Sequence, residues 1–414
     1  MDIKLSAASI NITPVQPLPL AGFAERKGLY IQVKDDLEIN LAAIKQDGKL
    51  ALIYSVDTLF VPDSFVNLIV DSFGREYGIQ EPDVWMAATH THYAPSLDKE
   101  KPALGTVNDE YYKFVTEQLL QLTQRVLNSD FVNVNVQYGS GKSVLNVNRR
   151  KKLVRPHNKF SLYNKVLMYP DYAGVRDDDM HLVKFADDNG KVKMVLWNYA
   201  CHPVGYPHMH RVTAEFIGVI RQKLRTEYKD DNLPVNFLIG FAGNMKPDLT
   251  PVTNTRWKDK LNYVFQLGPK HVRFPDTASY LQWTELLWAE LEIILDNVKS
   301  CTPSQVQATQ HDVPLSDIIG DIDHKIHFKK LVFAEGFHLT GVSAEVLAEY
   351  KYLLAGVGPS INVGCLAGTR IYLPTDKNVM EGGYEVHGFK NKFGISGHFK
   401  PGINDTVIKA ISKL

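Results

Sequence analysis

A chain of 414 residues with 44% hydrophobic and 22% charged side chains has the make-up of a globular protein that buries a large core, which excludes extended disorder. Its 46 Lys plus Arg balance 46 Asp plus Glu, so no overall field draws it to nucleic acid or to an anionic membrane. The start MDIKLSAASINITP has no export-signal pattern, no apolar run approaches the roughly 18 residues of a membrane span, and Cys201, Cys301 and Cys365 form no CxxC pair. The expectation is a cytoplasmic protein with no integral membrane segment and no nucleic-acid partner.

In chain order, LALIYSVD (50–57) is an apolar run of strand length. PDSFVNLIVDSFGREYG (62–78) repeats Phe65, Ile69, Phe73 and Tyr77 on one helical face and stops at a glycine. DVWMAAT reads as a second buried strand, and a helix at 109–126 carries its stripe on Tyr111, Val115, Leu119, Leu122 and Val126. VNVNVQY (132–138) alternates as a strand with one wet face, so the sheet is expected to be mixed.

HLVKFA and VKMVLWNYA, joined by DDNGK, read as a hairpin. TAEFIGVIRQKLRTEY is a helix, VNFLIGFAG a strand and SYLQWTELLWAELEIILDNV a long helix. After Thr302 a strand, a Gly- and His-bearing loop region, a helix over SAEVLAEYKYLLAG and a strand near SINVGCLAG are expected. The basic cluster NRRKK (148–152) reads as a solvated loop. No linker, repeat or low-complexity block divides the chain. The fold class is α/β: one large domain, 1–414, with mixed β-sheets flanked by helices and long loops at 97–108, 151–179 and 251–276.

Chemistry concentrates on histidines that follow strands. In THTHYAPS, residues 89–96, His90 and His92 on an extended segment would face one cavity, open to metal ligation or to a hydrogen-bonded structural pair. In NYACHPV, His202 also follows a strand and precedes a proline. Cys201 beside it would lie on the opposite strand face as a small buried hydrophobe. YPHMHR carries His208 and His210 in a loop, which favours substrate contact at a rim and leaves them competitors for a metal.

SINITPVQPLPLAGFA, THTHYAPS, NRR, NYACHPV, IGFAGNMKPD, GVSAEV and YLPTDKNVMEGGYEV, taken in order over roughly residues 8 to 390, resemble the ordered motifs of the neutral/alkaline (non-lysosomal) ceramidase catalytic domain. The resemblance implies a zinc amidohydrolase. It implies imidazole ligands at His90 and His202, a carboxylate ligand at Glu345, a phenolic oxygen at Tyr384, an acid/base at His92 and a substrate-contacting arginine at Arg149. Zinc would ionise a water near neutral pH, His92 would move its proton to the leaving nitrogen, and Tyr384 or Arg149 would steady the oxyanion.

The residues themselves permit plainer roles. Glu345 lies two residues after Ser343, a helix N-cap candidate, and would then be a first-turn carboxylate. Tyr384, among glycines, would cap a pocket, and Arg149 would pair with a surface acid. GFAGN after a strand reads as a backbone cradle for an anion or carbonyl, or as a tight turn.

The chain departs from the family pattern at Asn244, where an acid is usual, and at Glu215, where an Asp is usual; Asn244 is therefore expected on the pocket floor in contact with substrate. With thirty residues following Tyr384, the β-sandwich domain of secreted ceramidases is not expected here. The expected partner is a small-molecule N-acyl compound such as an acylated amino sugar or amino acid. The competing classes are a non-hydrolytic ligand-binding or acyl-transfer member in a biosynthetic pathway and, behind it, a two-metal phosphoesterase using His208 and His210.

Overall fold

The computed structural model describes residues 2–158, 161–249, 275–320, 323–357 and 360–414. The expected loop at 251–276 therefore lies almost entirely outside the described residues.

The chain opens with β1 (Ile3–Asn11), β2 (Gln32–Val33), β3 (Glu38–Gln46) and β4 (Lys49–Val56), followed by helix α1 (Asp63–Tyr77) and β5 (Val84–Ala88). Next come α2 (Asp109–Asn128), β6 (Val132–Lys142), the long hairpin β7 (Asn146–Asn158) and β8 (Ser161–Asp171), and the hairpin β9 (Asp179–Asp187) and β10 (Val192–Tyr199). After β11 (Arg211–Val212), α3 (Phe216–Tyr228), β12 (Val235–Ile239) and β13 (Met245–Pro247), a long helix spans Thr277–Asp296. The strands β14 (Lys299–Ser300), β15 (Pro303–Pro314), β16 (Lys325–Ala334), β17 (His338–Val342), β18 (Glu345–Val346), β19 (Ser360–Val363) and β20 (Tyr372–Leu373) follow, with a last helix at Ile403–Ser412.

The main sheet is mixed, in the order β12-β10-β9-β6-β1-β3-β4-β5, parallel at β10/β12 and at β4/β5. A second sheet, β15-β16-β17-β19, lies across one of its faces. Ala42, Ile44, Ile53, Trp85 and Phe185 of the first sheet pack there against Leu331, Phe333, Leu339 and Ile361 of the second. Leu41, Ala43, Leu52 and Tyr54, on the alternate face, pack under α1, α2 and α3. Cover on both faces explains why β3 and β4 read as almost continuous apolar runs instead of alternating. The last helix covers the second sheet through Val407, Ala410 and Ile411, completing a helix–sheet–sheet–helix stack.

Three sequence expectations give way here. Residues 151–158 and 161–171, expected as loop, are strand in the β7/β8 pair, whose ladder satisfies their backbone, whereas 172–178 connect to β9 without strand or helix. The His-bearing region after β15 is strand, β16 and β17. The expected helix over SAEVLAEYKYLLAG survives only as Tyr350–Leu353, because Glu345 and Val346 pair in parallel with Tyr372 and Leu373. α1 runs as expected to Gly78, a left-handed C-cap with φ of 71°.

Curling of the main sheet brings its edges together. Edge strand β12 comes against β3, β4 and β5. The Asn236 amide donates to Ile53 O at 2.9 Å, Ser55 Oγ to Phe237 O at 2.8 Å, and Val235 N–H to the Asn40 side chain at 3.0 Å. These buried polar side chains replace a strand ladder between the edges. The ends of β5, β10 and β12 thereby meet.

Where the two sheets touch, a Cβ on Gly341 would sit 2.6 Å from Leu366 Cδ1 and from Trp85 Cζ3. Gly341→Ala is accordingly expected to cost about 1–3 kcal/mol by overpacking, read as a lower urea midpoint with unchanged m-value. An unchanged midpoint would show that Trp85 can move.

His181 is partly buried with its Nδ1 on the Tyr138 hydroxyl at 2.8 Å, and desolvation lowers its pKa to about 4. The unfolded chain takes up this proton near pH 6.5, the folded one only near 4. Stability is therefore fully present above pH 6.5 and falls as pH drops from 6.5 to 4, by up to roughly 3 kcal/mol. His181→Phe should flatten that part of the urea-derived stability profile; an equally steep profile in the variant would exclude His181 as its source.

Candidate functional site

Beyond β5 the chain turns at His90, which takes φ of 65°. The sequence expectation of an extended HxH pair is therefore corrected, since it is a left-handed residue that brings the His90 and His92 rings to 5.1 Å, edge on. His202 arrives from the end of β10, its ring 4.8 Å from His90. Ring nitrogens of His90, His92 and His202 lie within 4.8 Å of one another.

Glu345 reaches the same point from β18. Its Oε2 is 3.1 Å from His202 Nε2 and 3.4 Å from His90 Nε2, and all three residues are at most 3% exposed. The helix N-cap role considered for Ser343 is absent: its hydroxyl accepts the His327 N–H from β16.

The protonation pattern is fixed from behind. His90 Nδ1 bonds Leu59 O at 2.8 Å; His202 Nδ1 bonds Ala242 O at 2.7 Å and Met245 O at 3.0 Å. Carbonyl oxygens only accept, so both Nδ1 atoms carry the proton and both Nε2 atoms turn toward the carboxylate. A neutral imidazole then offers Glu345 a lone pair, not a donor. Among the described residues His90 Nε2 has no hydrogen-bond partner despite its burial.

Burial pushes the Glu345 carboxyl up, but His90 and His202 outweigh it and hold the group far below the usual carboxylate range. Burial, and next Arg149, lower His202 to about 4. Burial also disfavours the charged form of His90, yet Cys365 and Glu345 outweigh it and raise its pKa. The Cys365 thiol, one of the two groups that raise His90, was not singled out in the sequence. The three cysteines are free, and Cys201 is a buried core residue as expected.

Around this cluster, Arg149 Nη2 donates to Gly243 O at 2.8 Å and to the Tyr372 hydroxyl at 3.2 Å. Its Nε pairs with Glu385, 1% exposed, at 3.0 Å, while Arg150 takes the other Glu385 oxygen at 2.7 Å. Arg149 thus pairs with a buried acid and not with a surface one, and NRR belongs to β7 and not to a solvated loop.

The phenol set against Glu345 is that of Tyr372, whose pKa is raised by burial first and by that carboxylate next. The parallel β18/β20 pair registers Glu345 directly opposite Tyr372. Tyr384, twelve residues on, stacks edge-on against Tyr372 at 5.7 Å and lines the cavity above. Both tyrosines belong to one motif, and only the strand register tells them apart.

Asn244 does not reach that cavity. Its amide donates to Glu349 at 2.8 Å and accepts the Ala348 N–H at 2.9 Å, so it pins the turn after β18. GFAGN presents carbonyls, to His202 and Arg149, and not an N–H cradle for an anion. Gly243 is required there: a Cβ would lie 2.7 Å from Glu345 O. His208 sits outside the cluster, bonded to Thr277 at 3.2 Å, and neither it nor His210 shares a candidate metal group among the described residues.

Glu215 caps α3 with φ of 63° and accepts the Gly205 N–H at 2.6 Å; burial raises its pKa to about 8. Two other acidic or His groupings lack room for a cation. The Gln310 amide stands between Glu81 and Asp312 beside His327, and the Lys351 ammonium fills the space among Asp177, Asp178 and Asp179.

A cavity of about 560 Å³ opens over the cluster, with His92, Arg149, Tyr372 and Tyr384 at its floor and Phe23, Leu167 and Leu249 among its apolar walls. No helix among the described residues is long and apolar enough to cross a membrane.

Two stacked mixed sheets between helices, with buried donors gathered at strand ends, define a ceramidase-like α/β fold. The chain superposes on the neutral ceramidase from Pseudomonas aeruginosa with a TM-score of 0.76 and 12% identity, over 100% of this chain and 74% of that one. A solved structure described as ceramidase complexed with C2 gives 0.73, also at 12% identity, over 100% and 75%. At this identity the likeness is one of fold. No protein-family model matches the sequence, and no curated protein does.

Proposed function

We propose that the chain is a zinc-dependent hydrolase that cleaves the amide bond of an N-acyl compound. The observation that carries this reading is the orientation of His90 and His202: two buried Nε2 atoms directed at one buried carboxylate, with both Nδ1 atoms bonded to backbone carbonyls. Two imidazoles, a carboxylate and the Tyr372 phenol are a nitrogen and oxygen donor set suited to zinc, and the carbonyls behind the imidazoles orient them as ligands. Zinc held by His90, His202, Glu345 and Tyr372 would supply the Lewis acidity that lets water ionise near neutral pH.

The remaining work belongs to the chain. His92 is neutral, since burial and then the neighbouring His90 and His202 hold its pKa well below the ordinary value. At the cavity floor it would accept a proton from water and return it to the leaving nitrogen. Arg149 and the Tyr384 hydroxyl would face the carbonyl oxygen as charge develops on it, each such donor being worth about 3 kcal/mol when preorganised. The apolar wall of Phe23, Leu167 and Leu249 beside polar Glu25 and Lys246 suits a substrate with an acyl part and a polar part. The ceramidase fold supports the same reaction class.

The test is zinc content of the purified full chain together with release of free amine from octanoylated amino sugars, octanoylated amino acids and a short-chain ceramide. The expected result is one zinc per chain, amine release from at least one compound, and loss of turnover on removing zinc with restoration on readdition. Amine release that persists in a fully zinc-stripped protein would end this reading.

A further inference from the structure

His90 and His202 are oriented by hydrogen bonds at Nδ1, but among the described residues neither ring nitrogen of His92 has a partner, although both are buried. Something else fixes the ring that the proposed reaction needs most accurately placed. The contacts come from the segment around Gly22. The Phe23 ring lies 5.0 Å from the His92 ring. Gly22 has φ of 102°, and a Cβ there would stand 2.4 Å from His92 Nδ1, so the backbone itself forms the wall of the slot.

Arg26 holds this slot together. One guanidinium nitrogen donates to Met209 O at 2.8 Å; the other donates to Ala21 O and, at 2.9 Å, to His92 O. The same group lies over the Phe23 ring at 5.1 Å. Among the described residues its Nε is buried without a partner, and these three hydrogen bonds all go to backbone carbonyls, an expensive way to use a cation. A planar fork with several fixed donors can bridge three carbonyls from three separate segments; an ammonium cannot hold that geometry.

We infer that Arg26 is a positioning residue for His92, clamping the carbonyl of the histidine to the Ala21–Phe23 wall so that the imidazole stays over the metal cluster without a hydrogen bond of its own. The inference rests on the amide-hydrolase reading. It leaves both ring nitrogens available, which suits a group that must first accept a proton and then deliver it.

The test compares zinc-loaded, full-length Arg26→Lys and Gly22→Ala with wild type, on whichever octanoylated compound wild type turns over. The expected result is a fall in kcat on the order of 10²-fold, as for a misplacement of about 1 Å, with KM and zinc content unchanged. In 15N-histidine spectra, the imidazole signal that disappears in His92→Asn should shift or broaden in both variants while those of His90 and His202 stay put. A kcat at the wild-type level in both variants would overturn the inference, as would loss of kcat only in step with lost zinc. If wild type hydrolyses nothing, the hydrolase reading falls alone: the spectra still decide the positioning, and an unmoved His92 signal in both variants refutes it. Gly22→Ala serves on its own if Arg26→Lys does not fold.

Discussion

His202→Ala should leave a folded protein that no longer retains zinc on dialysis, with affinity reduced by at least about 10³-fold and no measurable amide hydrolysis. The magnitude follows from what is removed: outer partners of a metal ligand alone are worth about 10–100-fold, and a ligand itself more. Removing this imidazole also leaves the carbonyls of Ala242 and Met245 without their donor and Glu345 facing a void. Glu345→Gln should act in the same direction, because it removes the carboxylate in contact with both Nε2 atoms.

The contrast that identifies the roles is His92→Asn. That variant should keep one zinc and lose turnover by about 10²–10⁴-fold, the usual contribution of a general acid–base. Zinc retained at one per chain in both His202→Ala and Glu345→Gln, measured by competition with a chromophoric chelator, would place the metal elsewhere.

Replacing Glu385 with alanine should cost about 3–5 kcal/mol of stability and remove activity even in the folded fraction. Glu385 joins Arg149 and Arg150 in a site where all three residues are almost fully buried. Removing one partner of such a group strands the others as uncompensated buried charges, which is far costlier than the pair is worth. Arg150 keeps Gly382 O and a longer contact to Glu381, but Arg149 loses the anchor that aims it at Tyr372 and the cavity. Urea unfolding gives the stability and zinc-loaded kcat the function. A loss below about 1 kcal/mol would show that Glu381 and the carbonyls suffice.

Much of the main sheet and its helices was readable. The apolar run at 50–57, the helices ending near Gly78 and starting at Asp109, and the hairpin around DDNGK appear as β4, α1, α2 and β9/β10. These segments carry local signals: a period, a stop or a turn. The segment around Glu345 misled because its helix-like pattern of Ala, Leu and Tyr was overridden by the parallel pairing of β18 with β20, a contact local propensity cannot register. The pair of strands at 146–158 and 161–171 was missed because the first is dense in basic and polar residues and reads locally as a solvated loop.

For the site, the ordered motifs placed His90, His92, His202, Glu345 and Arg149 on a short list, and the structure brings all five together. They did not reveal that Tyr372 stands in register opposite Glu345, that Asn244 is consumed by Glu349, or that Arg26 grips the backbone of His92.

By itself the sequence determined which side chains able to bind a cation or move a proton follow which strands, and that the chain would build a mixed α/β core. Tertiary structure alone decided which of them meet, because convergence depends on the curl that brings β12 against β3, β4 and β5, on the left-handed turn at His90 and on the β18/β20 register. Each of these is a relation between segments far apart in the chain, set by packing and by buried hydrogen bonds, and no local pattern of residues encodes it.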